Sequence, residues 1–266
     1  MGQRNSYNTT VNGPRFFCPP PLVVGAQVEL PQQVAQHALK VLRLRRGDGM
    51  TLFDGTGGEY DARIVGVAGS QLVVELHGWL PRERESPLAV TLIQALQVGA
   101  KMDLTVQKAV ELGVARIVPV VSQRSVVALA GERAARRVEH WRAIVLAACA
   151  QCGRNRVPEV ALPERLDVWL ARPVDGDIQR LVLSPRATCS LAMLPSPALA
   201  RAGGRLELLV GAEGGLAPEE SKLAEIAGFI SVRLGPRILR TETAGLAALA
   251  AIQFLWGDLK EETTDV

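Results

Sequence analysis

The chain has 266 residues, of which 48% are hydrophobic and 21% charged, the balance of a globular protein with one large or two modest domains. Aromatic residues make up only 4%, so the core must be built mainly from aliphatic side chains. No apolar stretch approaches the roughly 20 residues that cross a bilayer, and no apolar signal segment is visible. We therefore expect a cytoplasmic protein with no membrane partner.

The net charge of +3 is small, but the chain has 25 arginines against 5 lysines. The planar guanidinium suits phosphate and carboxylate, which favours an anionic partner; arginine enrichment by a GC-rich genome is the alternative. Four cysteines in a chain of this length indicate reduced thiols rather than a disulfide scaffold. Cys149 and Cys152 form an isolated C-x-x-C near the end of a predicted helix, so we predict no metal site.

The first third of the chain has the pattern of a small β domain. Residues 1–14 are polar and aperiodic, which predicts a disordered leader. Residues 15–80 contain short β runs separated by glycine turns and one helix, which is typical of a compact β-barrel. The predicted strands are 26–30, 50–55, 59–67 and 71–78, and the predicted helix is 31–42. The charged, proline-bracketed segment 81–87 is the predicted linker.

From residue 88 to 260 the pattern changes to near-continuous apolar runs that alternate with helices. Such runs are typical of a mostly parallel sheet covered on both faces, the α/β fold class. The predicted strands are 88–96, 115–121, 180–185, 205–212 and 229–235, and the predicted helices are 102–112, 132–152, 218–227 and 242–256. The last helix is apolar nearly all round, so it must be buried in the domain or against a second subunit.

Three turns follow predicted strands, at the edge where open α/β sheets bind ligands: 183–187, 210–220 and 234–244. Glycines in the second turn allow close backbone approach to a ligand, and Thr241 in the third is a candidate N-cap. No phosphate-binding P-loop or dinucleotide fingerprint is present. The alternatives are a plain strand-to-helix turn for the second segment and a solvated basic loop for the third.

Five stretches carry a family resemblance: GAKMDLTVQKAVELGV (99–114), VSQRS (121–125), AACAQCGRNRVPEV (147–160), VGAEGGLAPEE (210–220) and LGPRILRTETAGLAAL (234–249). In this order and spacing they resemble the bacterial 16S rRNA (uracil-N3)-methyltransferases, the ribosomal RNA small subunit methyltransferase E family of the SPOUT class. The resemblance covers about Arg15 to Asp258. One departure is Ala212, which stands where the family usually has proline.

The resemblance implies a PUA-like RNA-binding β-barrel followed by a SPOUT domain with a C-terminal trefoil knot. General topology rules argue against knots, so this expectation rests on the resemblance alone. The resemblance also implies a homodimer and S-adenosylmethionine as the methyl donor. It maps the donor site onto Leu183, Pro185, Gly211, Glu213, Gly214, Leu234, Gly235, Ile238, Leu239 and Thr241.

The chemistry requires that uracil N3 lose a proton. We interpret Arg240 as the cation that stabilises the imide charge and Glu242 as the candidate base, with Glu213 as the alternative base. Either glutamate could instead only orient an arginine or cap a helix.

Arginines in both predicted domains are candidate phosphate contacts, and the polar residues after the long helix are candidate contacts near the target base. The predicted RNA-binding set is Arg15, Arg43, Arg45, Arg124, Gln151, Arg154, Asn155 and Arg156. The predicted function is methylation of uracil N3 in 16S rRNA, either naked or within the small ribosomal subunit. The alternatives are a SPOUT methyltransferase for another RNA position and a non-catalytic RNA-binding module.

Overall fold

The computed structural model describes residues 13–127, 129–174, 176–194 and 204–260. Most of the predicted leader, residues 1–12, lies outside them. The described residues form two compact units. The N-terminal unit comprises the described residues up to Glu85 together with Cys149–Val157, and the C-terminal unit comprises Ser86–Ala148 and the described residues from Pro158 onward.

The N-terminal unit is a five-stranded sheet with one helix. Its elements are β1 (Arg15–Phe17), β2 (Gln27–Glu29), α1 (Gln32–Gln36), which continues as a π-helical turn over His37–Val41, β3 (Gly49–Phe53), β4 (Glu59–Ala68) and β5 (Gln71–Leu80). The strand order is β1-β3-β4-β5-β2, with β1 parallel to β3 and the other pairs antiparallel. No pairing between β1 and β2 occurs within the described residues, so the sheet stays open at that point.

The core of this unit follows from the two-residue period of its strands. Leu72, Val74 and Leu76 alternate along β5 and are fully buried, as are Met50 and Leu52 on β3. Each such side chain contributes roughly 1.5–3 kcal/mol when removed from water. The alternating apolar residues of these strands therefore form this core.

The C-terminal unit is a parallel sheet with helices. Its elements are β6 (Ala89–Ala95), α2 (Ala100–Glu111), β7 (Val114–Val121), α3 (Gly131–Cys152), β8 (Glu159–Val160), β9 (Glu164–Arg165), α4 (Leu166–Leu170), β10 (Ile178–Leu183), β11 (Cys189–Ser190), β12 (Arg205–Val210), α5 (Pro218–Ile226), β13 (Ile230–Arg233) and α6 (Thr241–Trp256). The order is β11-β13-β10-β12-β6-β7-β8, with β9 also on β7, and every described pair is parallel.

Burial of both faces of the sheet explains why apolar and polar residues do not alternate along these strands. Successive residues such as Leu92 and Ile93 on β6, or Leu208 and Leu209 on β12, are all fully buried, because both faces of the sheet are covered. Helix α6 packs one face against α2 and β12 and leaves Phe254 more than half exposed, so it is buried on one side only. None of the described helices is long and apolar enough to cross a membrane.

The path of the chain at the C-terminus determines where a ligand can bind. Strand β13 lies on the far side of β10 from β12, yet the helix that follows it, α6, contacts β12 and α2. The segment between β13 and α6 must therefore return across the carboxyl ends of β10 and β12. This return brings the three predicted turns to one place; the trefoil knot itself stays a prediction.

Candidate functional site

A cavity of about 300 Å³ lies at the carboxyl ends of β10, β12 and β13. All but one of the predicted donor-binding residues line it, together with both predicted catalytic residues, Arg240 and Glu242. The donor-binding residues that line it are Leu183, Pro185, Gly211, Glu213, Leu234, Gly235, Ile238, Leu239 and Thr241. Sequence segments separated by up to 58 positions thus form one wall, as strand ends of a parallel sheet allow.

The hydroxyl of Thr241 donates one hydrogen bond and accepts another, and the two bonds hold the cavity walls together. Its Oγ1 donates to the carbonyl of Gly211 at 2.6 Å, and the buried Gln94 at the end of β6 donates from Nε2 to the same Oγ1 at 3.2 Å. The prediction that Thr241 caps α6 was wrong: the helix begins at Thr241 itself, Arg240 occupies the N-cap position, and the hydroxyl reaches across to β12 instead.

The glycine turn after β12 is tight, and its glycines have different roles. A Cβ on Gly211 would lie 3.0 Å from backbone atoms of Gly215 and Leu216, and Gly215 has a φ of +71°. Gly214 does not line the cavity, and its carbonyl accepts a 2.7 Å hydrogen bond from Nη1 of Arg124. The steric requirement for glycine therefore falls on positions 211 and 215 and not on position 214, where a Cβ would meet only the Arg124 side chain.

A buried carboxylate fixes this turn to the one after β7. Glu220, only 3% exposed, accepts the backbone N–H of Gln123 at 2.7 Å and that of Ala217 at 2.9 Å. Arg124, predicted to contact RNA, comes from the same turn and is exposed apart from its bond to Gly214. Glu220 also lies in the first turn of α5, where a negative charge is favourable for the helix.

The charged lining is mixed, with four cationic and two anionic side chains. The cations are Lys101, Arg233, Arg237 and Arg240, and the anions are Glu213 and Glu242. Lys101 was missed from the sequence, although it lies in a motif that carries the family resemblance and follows the end of β6. Its Nζ lies 3.3 Å from Oε1 of Glu213 and 3.7 Å from Oε1 of Glu242. The cationic excess favours an anionic substrate.

The predicted RNA-binding residues divide into exposed and internal ones. Arg43, Arg45, Gln151 and Arg156 are exposed. Arg15 is mostly buried, because its guanidinium contacts Glu59 and donates to Oδ1 of Asn155 at 2.7 Å.

Arg154 and Asn155 are internal to the N-terminal unit, which contradicts the prediction that they contact RNA directly. Arg154 is 5% exposed and forms several hydrogen bonds with Glu85. Asn155 is fully buried, and its Nδ2 donates to the carbonyl of Arg82 at 2.6 Å. The segment after α3 turns back into the N-terminal unit, and its polar side chains satisfy one another there.

Two of the four cysteines are buried thiols. Burial raises the pKa of Cys149 to about 12 and that of Cys18 to about 11, so both remain protonated at neutral pH. Within the described residues no group of three or more histidine, cysteine or acidic side chains is placed to hold a metal ion.

A pair of neighbouring arginines tests the internal role of Arg154. We expect Arg154→Met to lower the free energy of unfolding by roughly 2–4 kcal/mol, because it leaves the partly buried carboxylate of Glu85 without its partner. The matched change at the exposed Arg156 should alter it by less than about 0.5 kcal/mol. Urea unfolding of both variants measures the difference; equal stabilities would show that the Arg154–Glu85 contact is dispensable.

The chain matches two family models. Residues 84–253 match the model described as RNA methyltransferase domain, and residues 30–76 match the one described as RNA methyltransferase PUA domain. Ribosomal RNA small subunit methyltransferase E of Buchnera aphidicola subsp. Schizaphis graminum is 32% identical over 92% of this chain and 98% of its own length.

Two solved structures are similar over nearly the whole chain. The ribosomal RNA small subunit methyltransferase E of Neisseria gonorrhoeae, bound to S-adenosylmethionine, has 42% identity and a TM-score of 0.85, covering 93% of this chain and 99% of its own. A Legionella pneumophila protein in complex with the bound cofactor S-adenosylmethionine has 36% identity and a TM-score of 0.87, covering 94% and 100%. These similarities confirm the predicted fold class, a mostly parallel sheet preceded by a PUA-like domain.

Proposed function

The chain belongs to the ribosomal RNA small subunit methyltransferase E family, and we propose that it transfers a methyl group from S-adenosylmethionine to uracil N3 in 16S rRNA, in the cytoplasm. The observation that carries the proposal is the cavity at the carboxyl ends of β10, β12 and β13, lined by all but one of the donor-binding residues that the resemblance implied and by both predicted catalytic residues. The substrate is the naked rRNA or the small ribosomal subunit.

The cavity fits the donor in size and chemistry. Its volume of about 300 Å³ is at the lower end of the range for small-molecule sites. Leu183, Leu234 and Ile238 offer apolar surface for an adenine ring, and Ile238 is 83% exposed, so covering it removes apolar surface from water. Glu213 and Glu242 provide negative charge for the positively charged end of the donor. When bound, S-adenosylmethionine supplies a methyl group on a positively charged sulfur.

The residues of the chain then prepare uracil N3 as the nucleophile. Arg240 lines the cavity, is exposed, and no carboxylate within the described residues engages its guanidinium, so it can donate to a uracil oxygen as the ring loses its proton. Glu242, also in the lining and 15% exposed, is the candidate acceptor of that proton. N3 lies on the pairing edge of the base, so the uridine must be unpaired or turned out of a helix.

We assign the RNA phosphate contacts to the exposed members of the predicted set: Arg43, Arg45, Arg124, Gln151 and Arg156. Arg43 supports this because it adopts a φ of +56°, a left-handed conformation that costs a non-glycine residue roughly 1–2 kcal/mol. Glycine would fit the turn at lower cost, so retention of an exposed arginine favours a role for its side chain.

The knot and the homodimer are part of the same proposal. Leu246, Ala250 and Phe254 follow one another at intervals of four residues on α6, opposite its buried face, and none of them is fully buried. Such an apolar stripe fits a contact with a second copy of the chain, as the family resemblance implies.

The direct test is mass spectrometry of 16S rRNA nucleosides from a strain that lacks the gene. We expect 3-methyluridine to disappear and to return when the gene is restored, but not when an Arg240→Ala copy is restored. Unchanged 3-methyluridine in the deletion strain would refute the proposal. Loss of a different methylated nucleoside would point to a SPOUT methyltransferase for another RNA position.

The glycine turn gives a prediction about donor binding. We expect Gly211→Ala to weaken S-adenosylmethionine binding by about tenfold or more, because its Cβ would meet backbone atoms at 3.0 Å. Gly214→Ala should change it by less than about threefold, since the neighbour at 3.3 Å is Cδ of the flexible Arg124 side chain. Calorimetry measures both affinities. A loss at Gly214 as large as at Gly211 would mean that the donor itself contacts Gly214.

Arg240 gives a prediction that separates chemistry from binding. We expect Arg240→Ala to keep donor affinity within about threefold while single-turnover methylation falls on the order of 10²-fold, the scale of losing one oxyanion donor. Arg240→Lys should fall between, because it keeps the charge but not the planar fork. Higher pH should partly rescue the Ala variant, since hydroxide can then remove the N3 proton.

Arg237→Ala is the matched control, since Arg237 is an exposed cation in the same lining. It should lower the single-turnover rate by less than about tenfold. If Arg240→Ala abolishes donor binding without a separate loss in the chemical step, Arg240 is a structural clamp.

A further inference from the structure

We propose that Lys101 is a positioning residue that holds the Glu242 carboxylate by its Oε1 atom, so that this carboxylate is in place to accept the uracil N3 proton. The inference rests on the proposed function and adds a residue that neither the sequence motifs nor the family resemblance had assigned. Lys101 lies in the first turn of α2, Glu213 in the turn after β12, and Glu242 in the first turn of α6. One ammonium therefore connects three parts of the cavity lining.

The location of Lys101 is unfavourable for its own helix. It is the second residue of α2, where the positive end of the helix dipole disfavours a cation. The acidic residue of that turn, Asp103, does not compensate, because its carboxylate is engaged by Arg137, His140 and Trp141. A cation that lies beside a cavity, at a helix position that disfavours positive charge, indicates a functional constraint.

Stability does not explain the contacts that Lys101 makes. The Lys101 side chain is 35% exposed, and the distances of 3.3 Å from its Nζ to Glu213 and 3.7 Å to Glu242 are those of a partly solvated cluster. Ion pairs of this kind contribute little to folding. Their effect is instead geometric, because they restrict where the two carboxylates can lie.

The second oxygen of Glu242 has no partner in this arrangement. Oε2 is buried and has no hydrogen-bond partner among the described residues, while Oε1 faces Lys101. Buried polar atoms without partners are rare, and an unpaired carboxylate oxygen is ready to accept a hydrogen bond. In the proposed step the N3–H bond breaks, its electron pair stays on N3, and the proton moves to the Glu242 carboxylate, leaving it neutral.

The test combines donor binding with single-turnover methylation in a double-mutant cycle. Lys101→Met should leave the affinity for S-adenosylhomocysteine within about threefold, lower the single-turnover rate by about 10- to 100-fold, and leave KM for RNA unchanged. Lys101→Arg should recover part of the rate. Glu242→Gln should lower it at least as much, and adding Lys101→Met to Glu242→Gln should cause little further loss, because both act through one carboxylate.

Lys108→Met is the matched control, since Lys108 lies on the same helix, is paired with Glu111 and does not line the cavity. It should leave both readouts unchanged. Retained binding of S-adenosylhomocysteine shows that each variant is folded.

Three results overturn the inference. Lys101 would be a donor contact if Lys101→Met weakened binding of S-adenosylhomocysteine tenfold or more and left the rate at saturating donor unchanged. Additive losses in the double variant would separate Lys101 from Glu242. If the wild type forms 3-methyluridine and Lys101→Met is equally active, Lys101 has no positioning role. If the wild type itself forms no 3-methyluridine, the proposed function is refuted.

Discussion

The cavity depends on one hydrogen bond, from Oγ1 of Thr241 to the carbonyl of Gly211. It joins the start of α6 to the end of β12, although β13 and the segment that follows it come between them in the chain. Gln94 adds the end of β6 to the same hydroxyl. A buried hydrogen bond contributes only about 1 kcal/mol net, but leaving the Gly211 carbonyl without a partner would cost more. The bond therefore fixes the path of the returning chain more than it adds to stability.

Because the sheet is parallel, a few side-chain contacts are enough to form the cavity. Parallel strands end at a common edge, so strand direction alone brings together the turns after β6, β7, β10, β12 and β13. Side chains then need to cross only short gaps: Glu220 joins the turn after β7 to the glycine turn, and Lys101 reaches from α2 to Glu213 and Glu242. The fold brings the turns together, and a few polar side chains fix their separation.

The sequence predicted the features that local patterns encode. The strands β6, β7, β10, β12 and β13 and the helix α3 were all predicted. Burial on two faces leaves a continuous apolar run, and burial of one helical face leaves a period of about 3.6 residues. The strands β1, β8, β9 and β11 have two or three residues, too few to show a period. The partners of Thr241 and Lys101 depend on which strand ends become neighbours, and that information lies in the topology and not in either segment.

The excess of arginine also shows the difference between what local sequence reveals and what depends on the tertiary structure. Arg154 and Arg180 are almost fully buried: the first pairs with Glu85, and the second pairs with Glu207 and lies over the ring of Phe229. These arginines hold each unit together from inside, since a guanidinium has enough donors to satisfy several buried acceptors at once. Composition alone could not separate them from surface cations that meet an anionic partner. The side chains can be separated only by their burial, which the structure supplies.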